Sequence, residues 1–296
     1  MRQINIRKKV AICGANGFIG EKFCKFFSEK YDLVGLIRKR NRYKGEENNT
    51  KIETRIVDYE NVNTLIDALE GVSVVIHLIG TAIQTPTETY QKTTLDVTKN
   101  ILDACKKQNI SKFIYFSGLG TRKNNTNGYF ISRFLVEQMI QESKLNYTIF
   151  RPSYIIGKHD LFTVRLIREM KQGMVKIYGS GNYRIQPIYV NDVTKMLDKI
   201  IQTNESEGIF DLVGPKEISF LDYLDMLNIH VKLRYKREFI NIEKAFQDIM
   251  QSDNPLLSVD SLIIRICDEV ADHKRLENEF GFKLTYPKEA LEKSFI

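Results

Sequence analysis

The chain has 296 residues, 43% of them hydrophobic and 27% charged, with a formal net charge of +7. That apolar content suffices for one large or two modest domains and excludes wholesale disorder. Cations alternate with acids along the chain, without a Cys/His finger or a dense basic block, so no nucleic-acid partner is expected. No apolar run reaches the ~20 residues of a membrane-spanning helix. The polar, basic start Met1–Lys9 lacks the apolar centre of a signal peptide. A cytoplasmic location is expected, with peripheral association with a membrane complex left open. Cys13, Cys24, Cys105 and Cys267 show no metal-like spacing and the histidines are scattered, so no metal is expected.

In chain order, Val10–Cys13 reads as the first strand and runs into Gly14-Ala15-Asn16-Gly17-Phe18-Ile19-Gly20. Each glycine at this strand-to-helix junction has its own use. Gly14 permits a tight turn, Gly17 the approach of a pyrophosphate, and Gly20 close packing of helix on strand. The helix that follows, about Glu21–Ser28, would aim its positive end and free N–H groups at phosphates. Tyr31–Ile37 is the second strand and Lys51–Val57 a weaker third. Gly71–Ile79 holds the near-continuous apolar run of a central strand covered on both faces. Lys112–Phe116 and Tyr147–Phe150 are strands five and six. Helical patterns lie between them at Val62–Leu69, Tyr90–Lys107 and Tyr129–Ser143. The alternation predicts an α/β fold, a Rossmann doubly wound parallel sheet. The polar loops Lys39–Thr50 and Gly118–Gly128 follow strands two and five, at the carboxyl edge where such sheets bind ligands.

After Arg151-Pro152 the pattern changes. A helix over about Leu161–Gln172 is followed by turn-rich Tyr178–Asn182, then by Ile185–Val190. A helix starts at Asp192 with Asn191 as its N-cap. Gly208–Val213 is strand-like, and Ser219 opens another helix. Residues 1–150 are expected to form a NAD(P)-binding Rossmann domain. Residues 151–296 are expected to form a smaller α+β substrate lobe intertwined with it. Ile240–Asp272 is largely helical in pattern and carries no chemical signal.

Strand two ends in Leu36-Ile37-Arg38-Lys39-Arg40. An acid at this place would accept hydrogen bonds from a ribose 2′-hydroxyl, whereas cations suit a 2′-phosphate. NADP(H) is therefore expected in preference to NAD(H), with Arg38 gripping the phosphate. Gly80 and Thr81 end the fourth strand, where a glycine leaves room for the cofactor to cross the sheet edge.

Further motifs join these: Val74–Gly80, Phe113–Ser117, Tyr129 with a basic residue four positions on, Arg151-Pro152-Ser153, Pro187–Val193 and Phe210–Pro215. Together they resemble the short-chain dehydrogenase/reductase superfamily in its extended and atypical branches, down to about Leu227. Within it the pattern is similar to the accessory NAD(P)-binding subunits of respiratory complex I and to NAD-dependent epimerase/dehydratase proteins. The resemblance implies a tyrosine that carries a proton and a lysine one helical turn later that supports it and holds the ribose. It also implies a serine or threonine that polarises a substrate carbonyl, and hydride transfer at the nicotinamide. Asp58 would meet the adenine, and Pro152 would lie against the carboxamide.

Here Tyr129 is present, but Arg133 replaces the lysine and is bulkier and forked. Ser117 ends strand five. Leu119 stands two residues beyond, and Thr121 could reach in from the loop. The candidate catalytic set is therefore Tyr129, Arg133, Ser117 and Thr121. Alternatives stay open: Tyr129 as an ordinary aromatic at a helix start, Arg133 as a surface cation pairing with Glu137, and Asp58 as a turn acid. Tyr154, His159 and Tyr189 are further pocket candidates, with His159 favoured as a plain loop residue. Two functions fit. One is an NADP(H)-dependent oxidoreductase or epimerase acting on a small organic or quinone-like substrate. The other is a non-catalytic cofactor-binding sensor, or an accessory or assembly subunit of a respiratory complex.

Overall fold

The computed structural model describes residues 7–38, 52–85, 87–203, 208–251 and 258–295. Lys39, Arg40 and the rest of the loop after the second strand lie outside them.

Short, near-continuous apolar runs form most of the first strands, with a polar one at the sheet edge. These are β1 (Lys9–Cys13), β2 (Asp32–Ile37), β3 (Glu53–Ile56), β4 (Val74–His77), β5 (Lys112–Phe116) and β6 (Tyr147–Pro152). Between them lie α1 (Phe18–Phe27), α2 (Val62–Ala68), α3 (Val97–Lys107) and α4 (Gly128–Glu142). The segment Gln91–Asp96 ahead of α3 is π-helical. Very short strands follow, β7 (Ile155–Ile156), β9 (Arg184–Ile185) and β10 (Ile188–Tyr189), together with the longer β8 (Met174–Tyr178). Helices α5 (Leu161–Lys171) and α6 (Val190–Gln202) accompany them. The chain continues through β11 (Gly208–Leu212), β12 (Ile218–Ser219), α7 (Phe220–Val231) and β13 (Lys236–Ile240). It closes with α8 (Ile242–Gln251), α9 (Val259–Ile266), α10 (Lys274–Phe280) and α11 (Pro287–Phe295).

Seven strands form one sheet in the order β11-β6-β5-β4-β1-β2-β3, every neighbouring pair parallel. The order reverses at β1, between β4 and β2, which opens a crevice at the carboxyl ends of those strands. Successive β1 residues serve opposite faces. Val10 and Ile12 join Phe23, Ile76, Phe150 and Met196 on one side. Ala11 and Cys13 join Leu65, Ile101, Tyr115 and Val136 on the other. With both faces covered, the inner strands read as near-continuous apolar runs, whereas β3 at the sheet edge is polar and mostly exposed. The second half contributes to the main sheet: β11 extends it beside β6, and α6 packs on α1. A separate core built on Leu166, Val175, Tyr223 and Leu227 underlies the C-terminal lobe.

Three boundaries differ from expectation in ways that bear on the site. Helix α1 begins at Phe18 rather than Glu21, because Gly17 is already extended (φ −86°, ψ 165°) and acts as its N-cap. Asn191 lies inside α6; Tyr189 holds the N-cap position, and the Asn191 amide donates to the Tyr189 hydroxyl at 3.0 Å. The apolar stretch 185–190 divides between β9 and β10, which pair with β12 and β7 respectively. At Ser219 the expectation and the structure agree: its hydroxyl accepts the Asp222 N–H in a reciprocal capping box that opens α7.

Candidate functional site

The crevice at the switch point is built from the β1–α1 turn. Gly14 has φ +91°, a conformation that side chains strain against. A Cβ on Gly20 would lie 2.6 Å from the Gly14 carbonyl oxygen and 2.8 Å from Ala15 Cα. Neither backbone atom can yield, so Gly20 is what lets helix meet strand. A Cβ on Gly17 would meet only the Gly14 carbonyl, at 3.2 Å. Phe18 and Ile19 turn their side chains into the apolar clusters. Their backbone N–H groups belong to the first turn of α1 and have no partner within the helix.

A cleft of about 270 Å3 lies at this edge, lined by Gly14, Asn16, Arg38, Tyr59, Gly80 and Thr81 among others. The Arg38 guanidinium stands 5.7 Å from the Tyr59 ring centre, and the Tyr59 hydroxyl donates to the Leu36 carbonyl at 3.0 Å. Asp58 is exposed and accepts the Glu60 N–H at 3.0 Å, a turn-acid geometry. It also lines, with Arg38 and Lys92, an adjoining cleft of about 630 Å3. Thr81 uses its hydroxyl locally, donating to the Ile83 carbonyl at 2.6 Å. The glycine cradle and the cation at the end of β2 fit a dinucleotide.

Helix α4 approaches the cleft through Gly80, which lines the cleft and abuts Arg133. Asn127 caps the helix, accepting the Tyr129 N–H at 3.0 Å. The Tyr129 hydroxyl packs against Gly118, where a Cβ would come within 2.9 Å of it. Arg133, one turn on, is not a surface cation paired with Glu137. It is 7% exposed and stands 5.0 Å from the Tyr129 ring centre. Its Nη1 donates to the Tyr115 hydroxyl at 2.7 Å. A side chain at Gly80 would collide with its guanidinium, so Arg133 lies at the Gly80 edge of the cleft. Its Nε has no hydrogen-bond partner. Burial alone would lower its basicity, but Tyr115 and Tyr129 outweigh burial and raise it. The charge therefore persists in the interior. Burial first, and the Arg133 charge second, hold the nearby His77 down to about 3, so that this imidazole is neutral. His77 Nε2 lies 2.9 Å from Thr98 Oγ1.

Ser117 and Thr121 come within 3.3 Å of each other, yet each hydroxyl is engaged inward. Ser117 donates to Glu137 at 2.6 Å, and Thr121 to the Gly118 carbonyl at 2.7 Å. Glu137, 2% exposed, also takes a two-pronged ion pair from Arg151 at 2.9 and 2.6 Å. Pro152 presents its carbonyl to the Leu119 N–H at 2.9 Å. Tyr154 packs on Phe162, ring centres 4.4 Å apart, within the C-terminal lobe, and His159 sits exposed in a left-handed loop conformation. Sequence reasoning missed Tyr115, His77 and Asp260. The first two are polar residues in register on β4 and β5, inside otherwise apolar runs, which is a usable signal. Asp260, which touches the start of α4, had none.

The family model described as "NAD dependent epimerase/dehydratase family" matches residues 10–212, from within β1 to the end of β11. The chain belongs to this family. Among curated members, it is 23% identical over 223 residues to the mitochondrial NADH-ubiquinone oxidoreductase 40 kDa subunit of Neurospora crassa, covering 73% of this chain and 58% of that protein. It is 23% identical over 209 residues to the N-acetyl-alpha-D-glucosaminyl-diphospho-ditrans,octacis-undecaprenol 4-epimerase of Escherichia coli O157:H7, covering 64% and 61%. The chain thus spans less than two thirds of either relative. The fold is shared with the crystal structure of UDP-glucuronic acid 4-epimerase from Bacillus cereus, in complex with UDP-glucuronic acid and NAD. The TM-score is 0.77 at 20% identity, over 97% of this chain and 98% of that one. Among the described residues no helix is long and apolar enough to cross a membrane. No group of three or more metal-ligating side chains occurs among them.

Proposed function

We propose that this family member binds NADP(H) and works as an oxidoreductase or epimerase on a small organic substrate, quinone-like ones included. Residues 1–150 carry the cofactor and residues 151–296 most of the substrate contacts. The observation that carries the reading is the pairing of Tyr129 with a buried guanidinium at Gly80, the edge of the glycine-lined cleft. A buried cation with no salt-bridge partner among the described residues is costly unless negative charge develops beside it. Proton transfer through the Tyr129 hydroxyl develops such charge, and a fixed guanidinium stabilises it without reorganising. The first turn of α1 offers N–H groups to the pyrophosphate, and Arg38 offers a fork to a 2′-phosphate. The bound cofactor supplies or accepts the hydride.

The test is consumption of NADPH across a panel of quinones and carbonyl compounds, in the native chain and in Tyr129→Phe. Turnover that falls by about 10²–10⁴-fold in the variant supports the assignment. Unchanged turnover means that another group moves the proton.

A second reading draws on Ser117 and Thr121. With both hydroxyls bonded inward, neither is presented to a substrate carbonyl. A cofactor-stabilised accessory or assembly role in a respiratory complex then applies; the Neurospora relative is named as a subunit of NADH-ubiquinone oxidoreductase. It predicts thermal stabilisation by NADPH without turnover on any member of the panel.

A further inference from the structure

Residues beyond 212 lie outside the family match, yet one piece of them returns to the site. Ser258 caps α9, accepting the Ser261 N–H at 3.1 Å, which sets Asp260 in the first turn beside the start of α4. One Asp260 carboxylate oxygen accepts the Gly128 N–H at 3.1 Å. The other accepts from the Tyr90 hydroxyl at 3.2 Å. The Asp260 carbonyl takes the Asn127 amide at 3.0 Å, and Asn127 is the residue that caps α4 at Tyr129. A carboxylate suits the positive end of a helix. The approach also depends on glycine: a Cβ on Gly128 would lie 2.8 Å from Asp260 Oδ2 and 3.2 Å from the Tyr90 ring. Tyr90 in turn meets the Tyr129 ring edge to face, centres 6.4 Å apart. Its hydroxyl also reaches the Ala82 carbonyl at 3.3 Å, next to Thr81 of the cleft. Two segments bordering Tyr129, the start of α4 and the one carrying Tyr90, therefore converge on the Asp260 side chain.

We propose that Asp260 is a positioning residue that fixes the start of α4 and the Tyr90 ring, so that the Tyr129 phenol keeps a single orientation at the cofactor cleft. It touches neither substrate nor cofactor and acts through Tyr90 and Gly128. Its bearing on the reaction rests on the reading of Tyr129 given above; its effect on the Tyr129 ring does not.

The test uses the full chain labelled with fluorotyrosine and read by fluorine NMR. Tyr129→Phe and Tyr90→Phe each delete one resonance and so assign both. In Asp260→Ala, both resonances shift by more than their linewidth or broaden. Asp260→Asn, which keeps an acceptor in place, returns them toward the native positions. Gly128→Ala displaces the carboxylate without deleting it and produces the same change, which covers the case of an Asp260→Ala protein that does not fold. A Tyr129 resonance that superposes on the native one in the folded variants overturns the proposal. NADPH added to the native chain tests the cofactor reading separately. An unmoved Tyr129 resonance there counts against that reading and leaves the variant comparison to decide on Asp260.

Discussion

Arg133 is a guanidinium enclosed by two tyrosines and a glycine, with no salt-bridge partner among the described residues. Interiors do not keep such a charge for stability, since an apolar side chain of similar volume often does as well. Arg133→Met is therefore expected to change the unfolding free energy by no more than about 1 kcal/mol, while it weakens NADPH binding. Urea unfolding beside a nucleotide titration checks both. A loss of several kcal/mol would make Arg133 a structural residue. His77 gives a pH signature. Its imidazole sits at about 3 in the fold, against an ordinary 6.5. The unfolded chain thus binds a proton that the native one refuses. The contribution is full above pH 6.5 and is lost as pH falls toward about 3, at up to roughly 1.4 kcal/mol per pH unit. His77→Gln should flatten that slope relative to the native chain, and identical slopes would refute the assignment. At this scale the sequence indicates candidate residues more readily than their surroundings. Tyr129 and Arg133 were legible from their spacing, and the burial of Arg133 was not. Nothing local announces that Glu137 is already taken by Arg151 and Ser117, since that depends on β5, β6 and α4 meeting in space.

The β1–α1 turn is the element in which sequence and geometry agree most closely. Its glycines are explicable one by one, and they separate experimentally. Gly20→Ala drives a Cβ into backbone at 2.6 Å and should destabilise the fold by about 1–3 kcal/mol. Gly17→Ala meets only one carbonyl oxygen, at 3.2 Å, with φ at an ordinary −86°. It should fold nearly as well and bind nucleotide poorly. Denaturant titrations and nucleotide titrations of the two variants distinguish these outcomes; equal losses of stability would contradict them. The long strands and helices were legible because their apolar periods run for several turns or covered residues. The two-residue strands β7, β9, β10 and β12 are too short to show a period. The N-cap of α6 was misplaced because Asn191 is a good capping residue by type, while the chain turns helical two residues sooner, after the extended Tyr189. Helix α9 was read as uninformative, since its contacts with α4 reach across more than a hundred residues.

For the whole molecule, the strand order with its reversal at β1 makes one crevice the natural ligand site. The cleft beside Gly14, Arg38 and Gly80 lies in that crevice. The two halves of the chain share one sheet, because β11 and α6 from the second half complete the first sheet and its core. Alternation of strands and helices foretold the sheet. The change of pattern after Arg151-Pro152 led to the expectation of an intertwined second lobe, but which segments interleave, β11 beside β6 and α6 on α1, is fixed by contacts between distant segments. A dinucleotide seated over the glycine turn, with its 2′-phosphate at Arg38, is the central proposal. Equilibrium dialysis of the full chain against NADPH and NADH tests this most directly. Retention of both nucleotides, with NADPH the tighter and its advantage removed in Arg38→Asp, is the predicted result. Retention of neither at millimolar concentration, or tighter binding of NADH, would contradict it.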